Sequence, residues 1–311
     1  MTVGVLLMTY GAPHGDADLP RYLAAVRGGR PAPDELVDEM RRRYGLIGGS
    51  PLVRITRAQA RAVEERLGEG YAAASGMRFS EPSIADAARD LVARGATHLT
   101  GVVLSPQWSP MLMGGYVRAL ESVAGELGVG WSAAEAWHRE RAFIESLAEL
   151  VREAEAGDAA VIFTAHSLPR RVFQSEPGYV AQLRETADLV APHVPLAPDG
   201  WSWAYQSAGH TQEEWLRPDL KELFAEIATS GRHEVLVVPV QFVSDHLEVL
   251  YDLDVAAADE ARVAGLRYRR IAMPNVRSSF IRALAAIARS ATPASARATS
   301  PRTASASPIP R

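Results

Sequence analysis

The sequence predicts an α/β protein of parallel, doubly wound sheets, in a chain long enough for two domains. Three observations carry this. Short runs that are apolar nearly throughout recur along the 311 residues, as strands covered by helices on both faces require. Longer amphipathic stretches alternate with them. Polar and ionisable residues gather directly after the apolar runs, where open parallel sheets bind ligands.

The predicted strands are VGVLLMTY (3–10), AAASGMRF (72–79), LTGVVLS (99–105), AVIFTA (160–165), WSWAYQ (201–206) and EVLVVPV (234–240). Between them, DELVDEMRRRY, TRAQARAVEERLG and RAFIESLAELVREAEA read as helices. A break near residues 135–158 divides the chain into an N-terminal α/β domain, 1–145, and a C-terminal one, 146–275. The helix at 276–290 is expected to complete the first domain. Residues 291–311, almost all Ser, Thr, Ala, Pro and Arg, are expected to form a disordered tail. No internal repeat is visible.

Composition excludes several chemistries. A net charge of −4 gives no basic field for nucleic acid or an anionic membrane. No apolar run approaches the ~18 residues of a membrane span. The N-terminal MTVGVLLMTYGAPHG lacks a charged leader, so a cytoplasmic protein is expected. The absence of cysteine rules out disulfides, zinc ribbons, thiol nucleophiles and cysteine-held iron–sulfur clusters. The single lysine, Lys221, lies in an amphipathic helix start, which excludes a P-loop.

The strand ends supply the candidate residues: Tyr10 in MTYGAP, the SPQWSP segment, His166 in TAHSLP, QSAGHT, and QFVSDHLE. His166 reads either as a histidine fixing a turn or as a functional imidazole. Ser167 beside it lacks the G-x-S-x-G elbow of a hydrolase. Wound as a helix, VSDHLEVLYDLD (243–254) puts Asp245, Glu248 and Asp252 within about 60° of one another, with Val243, Leu247, Leu250 and Tyr251 opposite as a core stripe. No Lys or Arg occurs from Glu234 to Ala261, so nothing local neutralises these acids. They read either as a solvated first turn favouring the helix dipole, or as oxygen ligands for a divalent cation with His166 or His246 adding nitrogen. Sequence alone leaves both open. Arg27, Arg30, Arg41, Arg42 and Arg43 precede the YGLIGGSPL loop, either as a solvated helix face or as a grip for carboxylates. His14, His98, His138 and His233 are taken as surface or structural.

TAHSLP, FVSDHLEVLYDLD, YQSAGHTQEEWLRPDL and RYGLIGGSPL together resemble the signatures of ferrochelatases, in order from about Val3 to Ala285. The resemblance implies two similar doubly wound domains of the chelatase type, with a porphyrin cleft between them and Fe(II) inserted as substrate. It places His166 and Glu248 across the metal position as catalytic residues and metal contacts, with Asp252 continuing a hydrophilic path for the cation. Relatives often carry another acid where this chain has Ala256, which shortens that path. MTYGAP is similar to the branch that metallates coproporphyrin III, where NLGGP marks the protoporphyrin branch. The match implies Tyr10 as axial ligand to the product iron. It implies Arg27, Arg43, Tyr44, Ser50 and Tyr116 as further porphyrin contacts. A second arginine common after the Arg27 position is Gly28 here. No tightly bound cofactor is expected. The implied partners are coproporphyrin III, Fe(II) and the downstream enzyme that processes coproheme, with no nucleic acid and a monomeric chain. Protoporphyrin IX ferrochelatase, a cobalt chelatase of the same fold, and a non-catalytic porphyrin or haem carrier are the alternatives.

Overall fold

In the computed structural model, residues 2–196, 200–208 and 213–296 are described. The first half runs β1 (Thr2–Thr9), α1 (Leu19–Val26), α2 (Asp34–Leu46), α3 (Leu52–Leu67), β2 (Tyr71–Met77), α4 (Ile84–Ala93), β3 (Ala96–Val103), α5 (Pro110–Leu127), β4 (Gly130–Ala134) and α6 (Arg141–Glu153). The second runs β5 (Ala160–His166), α7 (Arg170–Ser175), α8 (Pro177–Val190), β6 (Ser202–Gln206), α9 (Leu220–Thr229), β7 (Glu234–Pro239), α10 (Leu247–Leu250), a π-helical turn (Asp252–Ala257), α11 (Ala258–Val263), β8 (Arg267–Arg270) and α12 (Ser278–Ala291).

Two parallel four-stranded sheets result, ordered β2-β1-β3-β4 and β6-β5-β7-β8. The orders are identical once the second is renumbered. The halves therefore repeat one topology that the sequence does not betray. In each sheet the order reverses beside the first strand, and neighbouring chain ends diverge there to open a crevice. The six expected strands form. The two that were not anticipated, β4 (GWSAA) and β8 (RYRR), lie at sheet edges and are largely unburied, so neither carries a continuous apolar run.

The core explains why the halves act together. Alternate residues of β5 face opposite sides, as strand pleating demands. Val161, Phe163 and Ala165 enter a large core shared with the first sheet, while Ile162 enters a smaller one under α9 and α11. The shared core takes in Phe143 and Leu147 of α6, Leu183 of α8, and Phe280 and Leu284 of α12. α12 also packs against α3, β3 and β4 of the first half. The expected tail begins too early at 291: Thr292 is fully buried and its hydroxyl meets that of Thr100 at 2.9 Å. Residues 297–311 lie outside the described residues. A third cluster, Leu19, Tyr22, Leu23, Val37 and Tyr44, joins α1 to α2 and touches Leu247 across the crevice.

The 243–254 segment departs most from expectation. It is no uniform α-helix: Ala256 N–H reaches back five residues to the Tyr251 carbonyl at 2.9 Å. Four-residue steps overshoot an α-helical turn by 40° each, about 120° over three steps. The wider turn removes that drift. Val249, Leu253, Ala257 and Ala261 consequently form a straight buried row, replacing the expected core stripe. Of that stripe only Val243 is buried. Leu247 and Leu250 line cavities, and Tyr251 lies under the Arg42 and Arg43 guanidiniums. Asp245 leaves the expected acidic face, because its carboxylate accepts from Asn275 Nδ2 at 2.7 Å and lies 3.7 Å from Arg270.

Candidate active site at the crevice between the sheets

The ends of β1, β3 and β7 enclose a cavity of about 430 Å³ with mostly apolar walls. Its lining includes Met8, Tyr10, Val103, Leu112, Met113 and Phe242, and it contains no Lys or Arg. A second, more polar cavity of about 570 Å³ holds Arg43, His166, Gln206, Asp252, Ala256 and Glu260. Glu248 lines both, so its carboxylate stands at the seam between an apolar slot and a polar approach.

His166 is the last residue of β5. Its main-chain N–H would lose its ladder partner where β5 and β7 diverge, but Gln241 Oε1 accepts it at 2.7 Å. Gln241 Nε2 in turn donates to the buried Tyr179 hydroxyl at 2.8 Å. Nδ1 of His166 lies 2.6 Å from the Ser167 carbonyl, so Nδ1 donates there and Nε2 is the nitrogen turned to the cleft. Nε2 lies 3.7 Å from Glu248 Oε2, and His246 Nε2 approaches the same oxygen at 3.9 Å. Burial works to raise the Glu248 carboxyl, but the two imidazoles outweigh it and hold it down at about 2. The carboxylate stays ionised although it sits deep in the fold, its side chain 44% accessible through the cleft. Burial lowers the His246 imidazole, and the Glu248 carboxylate reverses that into a net rise.

Asp252 lies along the wall of the polar cavity, where burial and then the Glu248 charge raise its carboxyl. Its cation comes from the other half of the chain: Arg43 Nη1 lies 3.7 Å away. Arg43 also binds Glu39 at 2.7 Å and covers the Tyr251 ring. The acids with no local countercharge thus have a distant one. Ala256 does line the path, and Glu260 follows it one step further on.

Tyr10 projects into the apolar cavity, 41% exposed, edge-on to Phe79 at 4.6 Å. Enclosure, then the Glu248 charge, push its hydroxyl up to about 12, against the pull of Arg78. The turn that aims it depends on Gly11, at φ +96°, where a Cβ would collide with Ser80 Oγ. Tyr44, Ser50 and Tyr116 join the same lining. Arg27 caps the end of α1 outside both cavities, its Nε buried without a partner. Residues 209–211 of the QSAGHT segment lie outside the described residues. Sequence reading missed Gln241 and Arg78, which covers the Tyr116 ring at 5.2 Å. Gln241's position in QFVSDHLE was its one available signal. His246 was weighed only as an alternative to His166. Among the described residues no three His, Asp or Glu side chains converge tightly enough to hold a metal ion.

This fold and crevice define the class. Solved structures alike in fold include SirB from Bacillus subtilis with Fe3+, at a TM-score of 0.60, 13% identity, and coverage of 94% of this chain and 96% of that one. The ferrochelatase family profile matches residues 2–292, and the chain belongs to the ferrochelatase family. Among curated relatives, a ferrochelatase of Deinococcus radiodurans is 38% identical over 300 aligned residues, covering 92% of this chain and 94% of its own. A coproporphyrin III ferrochelatase of Geobacillus thermodenitrificans is 37% identical over 302, covering 92% and 95%.

Proposed function

We propose that the protein inserts Fe(II) into coproporphyrin III to form coproheme, a step of haem biosynthesis. The single observation that carries the site is His166 Nε2 facing an ionised Glu248 where the apolar and polar cavities meet. The apolar slot takes the flat macrocycle. The polar cavity brings the cation past Asp252 to Glu248. A carboxyl held near 2 attracts a cation and is a poor base at neutral pH, so His166 Nε2, in its unprotonated form, takes the two pyrrole protons one at a time and passes each to solvent through the polar cavity as the ring nitrogens bind iron. Tyr10 faces the slot, and its phenolic oxygen becomes the axial ligand of the product iron. Tyr44, Ser50 and Tyr116 seat the ring, and Arg27 and Arg43 serve its carboxylates. Arg43 must loosen its hold on Asp252 to do so.

No tightly bound cofactor is needed. Cysteine-held iron–sulfur clusters have no ligands in a chain without cysteine. Among the described residues no helix is long and apolar enough to cross a membrane. We further propose a monomer acting in the cytoplasm, with residues 1–145 plus α12 as one domain and 146–275 as the other, and handing coproheme to its next enzyme. The test is anaerobic Fe(II) insertion followed by absorbance, with coproporphyrin III and protoporphyrin IX in parallel. Preference for coproporphyrin, lost in His166→Ala and with altered product spectrum in Tyr10→Phe, supports the reading. Preference for protoporphyrin removes the substrate assignment, and porphyrin binding without insertion makes the protein a carrier.

A further inference from the structure

Coproporphyrin carries four carboxylates, yet the ring cavity has no Lys or Arg in its lining, and its His246 is engaged by Glu248. Burying an unpaired carboxylate there would be costly, so the carboxylates must reach its mouths. One mouth is the polar cavity, whose Arg43 is already engaged by Glu39 and Asp252. The other is an open cleft of about 720 Å³ that shares Tyr44 and Ser50 with the ring cavity. Arg54 lies on its wall, one helical turn beyond Ser50, in the first turn of α3. Among the described residues Arg54 is exposed and makes no hydrogen bond or ion pair, whereas Arg78, Arg42 and Arg43 all have partners.

We propose that Arg54 forms a carboxylate subsite for a tetracarboxylate porphyrin, reached through the gap between Tyr44 and Ser50. The proposal rests on the porphyrin reading of the ring cavity. A guanidinium fork with free donors matches a carboxylate in geometry as well as charge. The subsite also offsets Gly28, which leaves Arg27 without a neighbouring arginine. Asp16 is the one acid in this cleft. It lies beyond ion-pair distance of Arg54 and therefore opposes an incoming carboxylate without occupying the guanidinium. A dicarboxylate porphyrin can turn both its carboxylates to the Arg43 side and leave Arg54 empty.

The test measures porphyrin affinity by fluorescence quenching and KM by iron insertion, for wild type, Arg54→Gln and Asp16→Asn. The expected result is coproporphyrin III binding weakened about 3–10-fold by Arg54→Gln and tightened about 2-fold by Asp16→Asn, with protoporphyrin IX affinity unchanged. Opposite signs from two exposed substitutions cannot arise from misfolding. Unchanged coproporphyrin affinity, equal losses for both porphyrins, or weakening by Asp16→Asn would overturn the subsite. If wild type binds coproporphyrin but inserts no iron, the chelatase reading falls and the affinity ratios still decide Arg54.

Discussion

At the scale of single residues, the proposed mechanism divides between His166 and Glu248 two jobs that sequence alone left undivided. Two imidazoles keep Glu248 ionised far below neutrality, and the Ser167 carbonyl fixes which nitrogen of His166 faces the cleft. His166→Ala should lower kcat about 100- to 10,000-fold while leaving porphyrin affinity intact, as read by insertion rate and fluorescence quenching. Gln241 acts through His166. Gln241→Leu should lower kcat about 10-fold at unchanged porphyrin KM, and Gln241→Glu, which keeps the acceptor, should recover part of it. Asp252 yields a pH prediction. Its carboxyl is raised on folding, so the folded state binds more protons than the unfolded one above the ordinary value of 3.8. The resulting cost is absent below that value and complete above the raised one. Asp252→Asn should therefore raise the melting temperature at pH 7 and lose that gain below about pH 4, while iron insertion falls. Equal effects at both pH values would show that Asp252 carries no such burden.

At the scale of elements, the π-helical turn after α10 decides which side chains meet the cleft. Sequence reading wound the acids on a uniform helix: a 100° step placed Asp245 with Glu248 and sent Leu247 to the core. A backbone hydrogen-bond shift leaves no mark on residue types, so the straight row of Glu248, Asp252, Ala256 and Glu260 was not readable from periodicity, and only the resemblance supplied its first three members. The apolar central strands were legible, because strands covered on both faces must be apolar. The edge strands β4 and β8 were not, since pairing on one side lets RYRR stay charged. α12 binds the halves together through Phe280, fully buried and near the rings of Trp137 and Phe143. Phe280→Ala should cost about 3–5 kcal/mol in chemical denaturation, with both halves unfolding together because they share that core. Two separate transitions would contradict a continuous core.

At the scale of the whole molecule, the repeated strand order puts two switch points face to face. The first supplies Tyr10 and the walls of the apolar slot, the second His166, Gln241 and the acidic segment. Neither half holds the site alone. Strand ends were legible as a polar census, but their pairing across the crevice depends on tertiary packing that no local pattern encodes. Arg43 shows this: sequence offered it as a carboxylate grip, and the fold sets it against Asp252. In the proposed mechanism iron reaches the ring at Glu248. The most direct measurement is the rate of anaerobic Fe(II) insertion into coproporphyrin III by Glu248→Gln, beside its porphyrin affinity. The expected result is insertion reduced at least about 100-fold with porphyrin affinity retained. Insertion at the wild-type rate would contradict it.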